Sequence, residues 1–218
     1  MTQESSIDSR LRFGLVAFAI AVLTSTPVRA QGAAPPIGPF VVDLRATFPN
    51  FPDNSQVAAS HGIDNPADLP GHGFGFDLGG HVYLLKWRVI TFGVGAELMM
   101  GGSRSTPATP TGQAVTEHLT SFAPQISLNF GSGTGWSYVS GGVGYSTWSI
   151  VPDEAEKSPA DEERLFTVNY GAGARWFAKK HLAFCFDVRY YAISQGTTSV
   201  PVSPHTTMFV IGAGVSVK

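Results

Sequence analysis

Eight charged or titratable side chains stand at alternate positions inside otherwise apolar stretches of this sequence. They are Asp43, Arg45, Asp77, His81, Glu97, Arg175, Asp187 and Arg189. Carboxylates and cations in this set are close to charge balance. Buried charges are tolerated in proteins when they are paired with opposite charges. We therefore expect these residues to form a network of ion pairs that closes an enclosed space. The alternative is a gated, narrow ion path along the same residues.

One local group has the residue types of a lipid-hydrolysing site. Such a site needs a nucleophile, a histidine and an acid close together, and Glu117, His118 and Ser121 are the best candidates. However, His118 and Ser121 have opposite parity, so they would point to opposite faces of a strand. We therefore expect that the protein is not an enzyme. The glycine pairs do not lie between a strand and a helix, as a dinucleotide loop requires, so no cofactor is expected.

Metal-binding patterns are weak in this sequence. His61 and His72 lie close to Asp64 and Asp68 in one polar stretch, but no two histidines have the spacing of a zinc motif. The acidic segment Val151–Arg164 could bind divalent cations that bridge lipopolysaccharide, although a solvated acidic loop is the simpler interpretation. We therefore expect no resident metal.

The first thirty residues have the pattern of a secretory signal peptide. Arg10 and Arg12 precede the apolar stretch Phe13–Leu23, which is too short to span a membrane as a helix. Small residues precede the expected cleavage point after Ala30. We therefore expect a signal peptide at residues 1–30, a flexible lead-in at residues 31–39 and one domain at residues 40–218.

The composition is unusual for a soluble domain. Charged residues make up 14% of the 218 residues, against roughly 25% in typical soluble domains. The net charge of −2 offers no basic surface for a nucleic acid, so no nucleic-acid partner is expected. Cys185 is the single cysteine, so no internal disulfide can form. After the expected signal peptide, no apolar stretch is long enough for a transmembrane helix.

Eight stretches with a period of two follow the lead-in, and no segment shows a sustained helical period. We expect strands at Phe40–Phe48, His72–Lys86, Val89–Met100, Glu117–Phe130, Trp136–Ile150, Leu165–Phe177, Leu182–Ile193 and Thr207–Val217. The connections between them alternate strictly between short and long. This alternation is typical of an outer-membrane barrel, in which short turns face the periplasm and long loops face outward.

Periodicity alone does not decide which face of the strands points inward, and a soluble secreted β-domain would bury the phenylalanines. The polar face is mostly glycine, alanine and serine, which suits the narrow lumen of an eight-stranded barrel. Aromatic residues near the strand ends indicate two girdles at the membrane interfaces: Trp87, Trp136, Trp148, Trp176, Tyr83, Tyr138, Tyr145 and Tyr190. The sequence therefore predicts an all-β, eight-stranded antiparallel up-and-down transmembrane β-barrel with the eight charged residues in its lumen.

Four segments resemble the small outer-membrane β-barrel family of Gram-negative bacteria, which includes the OmpA transmembrane domain and OmpX-like proteins. They are Tyr138–Ser146, Asn169–Phe177, His181–Tyr191 and Phe209–Lys218. The resemblance covers Phe40 to Lys218. It implies a monomer in the bacterial outer membrane, in contact with lipid and lipopolysaccharide and inserted by the barrel-assembly machinery. Many members end in an aromatic residue, whereas this chain ends in lysine. This departure indicates either non-standard recognition by that machinery or a diverged lineage, and the sequence does not predict its effect on assembly.

The same resemblance implies a structural role in the envelope or an interaction made by the long loops. The extracellular partner of such loops is not predictable from the sequence. Two alternatives remain open at this point. One is a narrow channel for small solutes or ions, and the other is an outer-membrane lipid-modifying enzyme.

Overall fold

Eight antiparallel strands form a closed barrel in the computed structural model, which describes residues 36–107, 112–153, 155–197 and 202–218. The strands are β1 (Phe40–Asn50), β2 (Phe74–Trp87), β3 (Ile90–Arg104), β4 (Val115–Ser132), β5 (Gly135–Pro152), β6 (Leu165–Phe177), β7 (Leu182–Ile193) and β8 (Thr206–Val217). Each strand pairs with its neighbours in the chain, and β1 pairs with β8 to close the ring. The predicted all-β up-and-down barrel is confirmed.

The predicted signal peptide lies outside the described residues. Residues 36–39 enter β1 without belonging to a strand. No helix in the described part of the chain has the length and apolar character needed to cross a membrane.

The outward face of the strands carries apolar side chains, which on β1, β2 and β6 reach the long-loop ends of the strands. On β2, Phe76 is 47% exposed and the adjacent Asp77 is 3% exposed. Ile126 of β4 and Phe184 of β7 are also well exposed on the outer surface. A continuous apolar band of this kind matches the hydrocarbon region of a bilayer. The alternative of a soluble β-domain with a phenylalanine core is therefore wrong.

Strands β4 and β5 continue beyond the predicted ends on the side of the long loops. Toward that end the chemistry of the two faces is exchanged. There the outward side chains of β4 are polar, such as His118 and Thr120, and the inward side chains, such as Val115 and Leu119, are buried and apolar. Polar side chains on the outer face and apolar side chains on the inner face are typical of a barrel in water. The two strands therefore extend past the apolar band into the aqueous phase.

The first long loop contains a short helix, α1 (Ser55–Ser60), which the sequence pattern did not predict because six residues are too few to show a helical period. Asn54 caps it, since its side-chain oxygen accepts hydrogen bonds from the backbone N–H groups of Gln56 (3.1 Å) and Val57 (3.0 Å). Val57 is buried in the apolar cluster at the loop end of the barrel. Helix α1 thus covers that end of the lumen.

Glycines allow neighbouring strands to approach closely on the inner face, and Gly95 of β3 is a clear case. A Cβ atom at Gly95 would overlap the backbone oxygen of Gly80 on β2. Backbone atoms in a paired strand cannot move aside without distorting the sheet. At Gly80, on the outer face, a Cβ atom would meet nothing closer than the backbone oxygen of Val41 at 3.7 Å.

We expect Gly95→Ala to lower the free energy of unfolding by about 2–3 kcal/mol, since the added methyl group overpacks a rigid backbone contact. Gly80→Ala is the matched control, and its effect should stay within about 0.5 kcal/mol. Urea unfolding in detergent micelles, followed by tryptophan fluorescence, measures both. Equal stability of the two variants would contradict the role of Gly95 in strand approach.

Candidate functional site

The structure places all eight predicted lumen residues inside the barrel, none with more than 6% of its surface exposed. These eight residues come from five strands, β1, β2, β3, β6 and β7. They converge because the inner face of each strand presents every second side chain to the same narrow space. Small residues between them leave the room that the long arginine side chains need.

Arg45 lies at the centre of the largest network. Its Nη2 lies 2.8 Å from Oδ1 of Asp77 and 3.1 Å from Oε2 of Glu97. Its Nη1 donates to the hydroxyl of Tyr138 (2.7 Å) and lies 3.4 Å from Oδ2 of Asp187. Tyr138 in turn donates to Oδ2 of Asp187 (2.7 Å). Because β1 and β5 lie on opposite sides of the ring, the contact between Arg45 and Tyr138 crosses the lumen.

Arg189 joins the same network from β7. Its Nε lies 3.2 Å from Oε2 of Glu97 and 3.2 Å from Oδ1 of Asp187. Its Nη2 donates to the hydroxyl of Ser140 (2.8 Å). The hydroxyl of Tyr191 donates to Oε1 of Glu97 (2.8 Å), again across the ring from β7 to β3. We call this set the Arg45 network: Arg45, Asp77, Glu97, Tyr138, Asp187, Arg189 and Tyr191.

A second ion pair lies nearer the short turns. Arg175 of β6 contacts Asp43 of β1 through two parallel bonds, from Nε to Oδ1 at 2.8 Å and from Nη2 to Oδ2 at 2.5 Å. Ser216 donates a further hydrogen bond to Oδ1 of Asp43 (2.5 Å). The guanidinium of Arg175 also lies over the ring of Tyr138, 4.0 Å from its centroid. Tyr138 therefore links the pair to the Arg45 network.

His81 shares the lumen but not the hydrogen bonds. Its side chain is buried on the inner face of β2, and among the described residues neither ring nitrogen has a hydrogen-bond partner. His81 therefore lies in the lumen, as predicted, but it does not take part in the network of ion pairs and hydrogen bonds. In the structure the ion pairs are formed by the three arginines and four carboxylates.

An apolar layer fills the lumen between the Arg45 network and the loops, which the sequence analysis did not foresee. Leu119, Trp148 and Ile150 belong to this buried cluster together with Phe51 of the first loop. Within it, Nε1 of Trp148 donates to Oε1 of Glu117 (2.6 Å). The signal that could have revealed this layer is the run of apolar residues at the inward parity of β4 and β5.

Four of the eight predicted girdle residues lie on the outer surface. Trp87, Trp176 and Tyr145 are each 59% exposed, and Tyr190 is 42% exposed. Trp87 has the parity of the inward residues of β2, but an irregularity in strand pairing between Tyr83 and Leu85 reverses the facing after it. These four side chains are placed as expected for aromatic residues at a membrane–water interface.

The girdle prediction is wrong for the other four residues. Trp136, Tyr138 and Trp148 point into the barrel with at most 3% of their surface exposed. Tyr83 also points inward, where its ring meets that of Trp136 edge to face at 6.0 Å. The positions of these residues near strand ends suggested a girdle. However, the alternation of side chains along a strand decides whether a residue faces the lumen or the membrane. Trp136, Tyr138 and Trp148 share the inward parity of Ser140.

The candidate residues for other chemistries do not come together. Glu117 and Ser121 are buried in the barrel, whereas His118 is exposed on its outer face. The described residues contain no group of three His, Cys, Asp or Glu side chains that could hold a metal ion. His61 instead contacts Ser60 and the backbone of α1.

A closed barrel of eight strands, with apolar side chains on its outer surface and ion pairs in its lumen, has the architecture of a small transmembrane β-barrel. The family profile described as "Outer membrane protein beta-barrel domain" matches residues 17–216. The chain therefore belongs to this family and is a protein of the bacterial outer membrane. No curated protein matches the chain in sequence.

The solved structure of Neisserial surface protein A shows the same fold at low sequence identity. Neisserial surface protein A superposes with a TM-score of 0.54 at 14% identity, covering 83% of this chain and 97% of that chain. OprG from Pseudomonas aeruginosa gives a TM-score of 0.46 at 10% identity, covering 84% and 97%. The N-terminal β-barrel domain of OprF from Pseudomonas aeruginosa gives 0.43 at 14% identity, covering 81% and 96%.

Proposed function

We propose that this protein is a non-enzymatic, closed outer-membrane barrel that acts through its extracellular loops and through its own rigidity in the envelope. The observation that carries the proposal is the Arg45 network, which crosses the lumen from β1 to β5 and from β3 to β7. An ion or solute would have to break several charge-assisted hydrogen bonds at once to pass.

The apolar layer supports the same proposal. An ion that passed the Arg45 network would next meet Leu119, Trp148 and Ile150, which are almost completely buried. Apolar constrictions exclude water and ions. Two barriers of different chemistry therefore stand in series along the lumen.

The third long loop is hydrogen-bonded to the barrel and to the fourth loop, which suits a surface that presents a fixed shape. Asp161 of the third loop accepts a hydrogen bond from the backbone N–H of Ile150 (2.9 Å). Glu163 accepts one from the backbone N–H of Thr197 in the fourth loop (2.8 Å). A cavity of about 840 Å³ lies between the first and third loops, with His61 and Glu156 in its walls. A partner outside the cell would meet this ordered surface.

The remaining parts of the proposal concern maturation and surroundings. We place cleavage of the signal peptide after Ala30, insertion by the barrel-assembly machinery and a monomeric state in contact with phospholipid and lipopolysaccharide. His118 faces outward, whereas Glu117 and Ser121 face into the barrel. This arrangement supports the absence of hydrolase or acyltransferase activity.

Conductance across a planar lipid bilayer tests the closed lumen. The purified mature chain should insert without producing steady current steps, whereas a general porin in the same bilayer serves as the positive control. A shift in migration on boiling in SDS shows that the sample is a folded barrel. Reproducible ohmic steps from the folded wild-type protein would instead support the narrow channel and overturn this proposal.

A further inference from the structure

The charged residues outside the lumen are divided between the two ends of the barrel. At the end with the short turns lie five cations: Lys86, Arg88, Lys179, Lys180 and Lys218. In the described part of the chain, the acidic residues outside the lumen all lie in the long connections. Among the same residues, none of these five cations takes part in an ion pair. Among the described residues, the charged side chains at the end that faces the periplasm are therefore all basic.

Three of the five cations border one groove of about 700 Å³. Its walls are the turn at Gly133–Thr134, the turn at Ala178–His181 and the lead-in before β1, and its apolar surface includes Phe40 and Phe177. The ammonium of Lys218 lies 3.8 Å from the ring centroid of Phe177 and donates to the backbone oxygen of Gly133. The groove thus combines an apolar wall with positive charge at its rim.

The groove opens at the edge of the apolar band. Phe40 and Trp176 are 46% and 59% exposed on the outer surface next to it, and Leu182 is 40% exposed. Lys179 and Lys180 are exposed in the adjoining turn, directly beyond this band. This is the level at which lipid headgroups meet acyl chains.

We propose that this groove binds an anionic phospholipid of the inner leaflet of the outer membrane. The acyl chains contact Phe40 and the neighbouring outer surface, and the phosphate lies between Lys179 and Lys180. A neutral lipid would leave the cations without a counter-charge, and a water-soluble anion would leave the apolar wall without a contact. An anionic lipid satisfies both surfaces. The groove is separate from the extracellular loops, so it adds a binding site at the opposite end of the protein.

Native mass spectrometry of the full chain in detergent tests this site with two probes, dioleoylphosphatidylglycerol and dioleoylphosphatidylcholine. Wild-type protein should bind the anionic lipid more tightly than the neutral one. The double variant Lys179→Gln/Lys180→Gln should weaken binding of the anionic lipid by about tenfold, since each cation near an anionic lipid surface contributes a factor of about five before screening. Binding of the neutral lipid should stay unchanged.

Lys86→Gln/Arg88→Gln is the matched control, because it removes the same charge from the same end at a turn outside the groove. It should leave the affinity for the anionic lipid within about twofold of the wild type, since neither side chain lines the groove and salt screens charges that do not contact the lipid. Equal losses in both double variants would show a diffuse basic rim and overturn the site. Equal affinity of the wild type for the two lipids, or displacement of the anionic lipid by equimolar inorganic phosphate, would also overturn it. The shift in migration on boiling verifies that each variant is folded.

Discussion

Arg45→Met is expected to destabilise the barrel by about 3–5 kcal/mol, the cost of leaving buried charges without their partner. Three carboxylates, those of Asp77, Glu97 and Asp187, lie within 3.4 Å of the Arg45 guanidinium. With methionine in place of arginine, Asp77 loses the ion-pair partner that the structure gives it. Glu97 and Asp187 would then share the single cation of Arg189.

The measurement is the free energy of unfolding in urea, with the protein in detergent micelles. Arg104→Met is the matched control, because Arg104 forms an ion pair with Asp153 at 2.5 Å but keeps 61% of its side chain exposed. Exposed pairs contribute at most about 1 kcal/mol. If the two variants lost the same stability, the Arg45 network would not be the element that holds the lumen together.

The pair formed by Arg175 and Asp43 should show a different signature, a strong coupling between two single substitutions. Arg175→Met and Asp43→Asn should each cost about 3–5 kcal/mol, because each leaves one buried charge unpaired. The double variant should cost about 2–3 kcal/mol less than the sum of the two, because no unpaired charge from this pair remains. The side chains of Arg175 and Asp43 are at most 1% exposed, so water cannot replace the missing partner.

A double-mutant cycle on urea unfolding measures this coupling directly, with an expected interaction energy of about 2–3 kcal/mol. The cycle of Arg104→Met and Asp153→Asn provides the exposed comparison, where the coupling should be below about 1 kcal/mol. Additive losses at Arg175 and Asp43 would mean that the two side chains act independently, in spite of their two parallel hydrogen bonds.

Both predictions concern a lumen with two layers of different chemistry. Ion pairs occupy the part surrounded by the apolar outer band, and apolar side chains occupy the part that extends toward the loops. In the first part the barrel has lipid outside and polar groups inside. In the second it has water outside and an apolar core inside, as a soluble barrel does. The register between β4 and β5 is the same in both environments, with a short gap in the pairing at Ala123 and Pro124.

The strands, their alternating connections and the lipid-facing residues could be predicted from the sequence because these features are local. A period of two in hydrophobicity sets which side chains share a face, and the small residues on the opposite face indicate a narrow interior. The observed strand β7 has the predicted bounds, Leu182–Ile193, and β6 has the predicted bounds, Leu165–Phe177. Parity also places the charged residues on the inner face.

What only the tertiary structure decided is how inward side chains from distant strands meet. Arg45 donates to Tyr138, 93 residues away in the sequence, and Tyr191 donates to Glu97, 94 residues away. These partners depend on the register between all the strands that separate them, and no local pattern contains that register. The inward facing of Trp136 and Trp148, in contrast, follows from their parity in the sequence. Only the observed extent of β5 shows that they lie in the barrel and not at the membrane interface. The sequence by itself therefore determined the barrel and its two faces, whereas the closure of the ring determined the network that fills it.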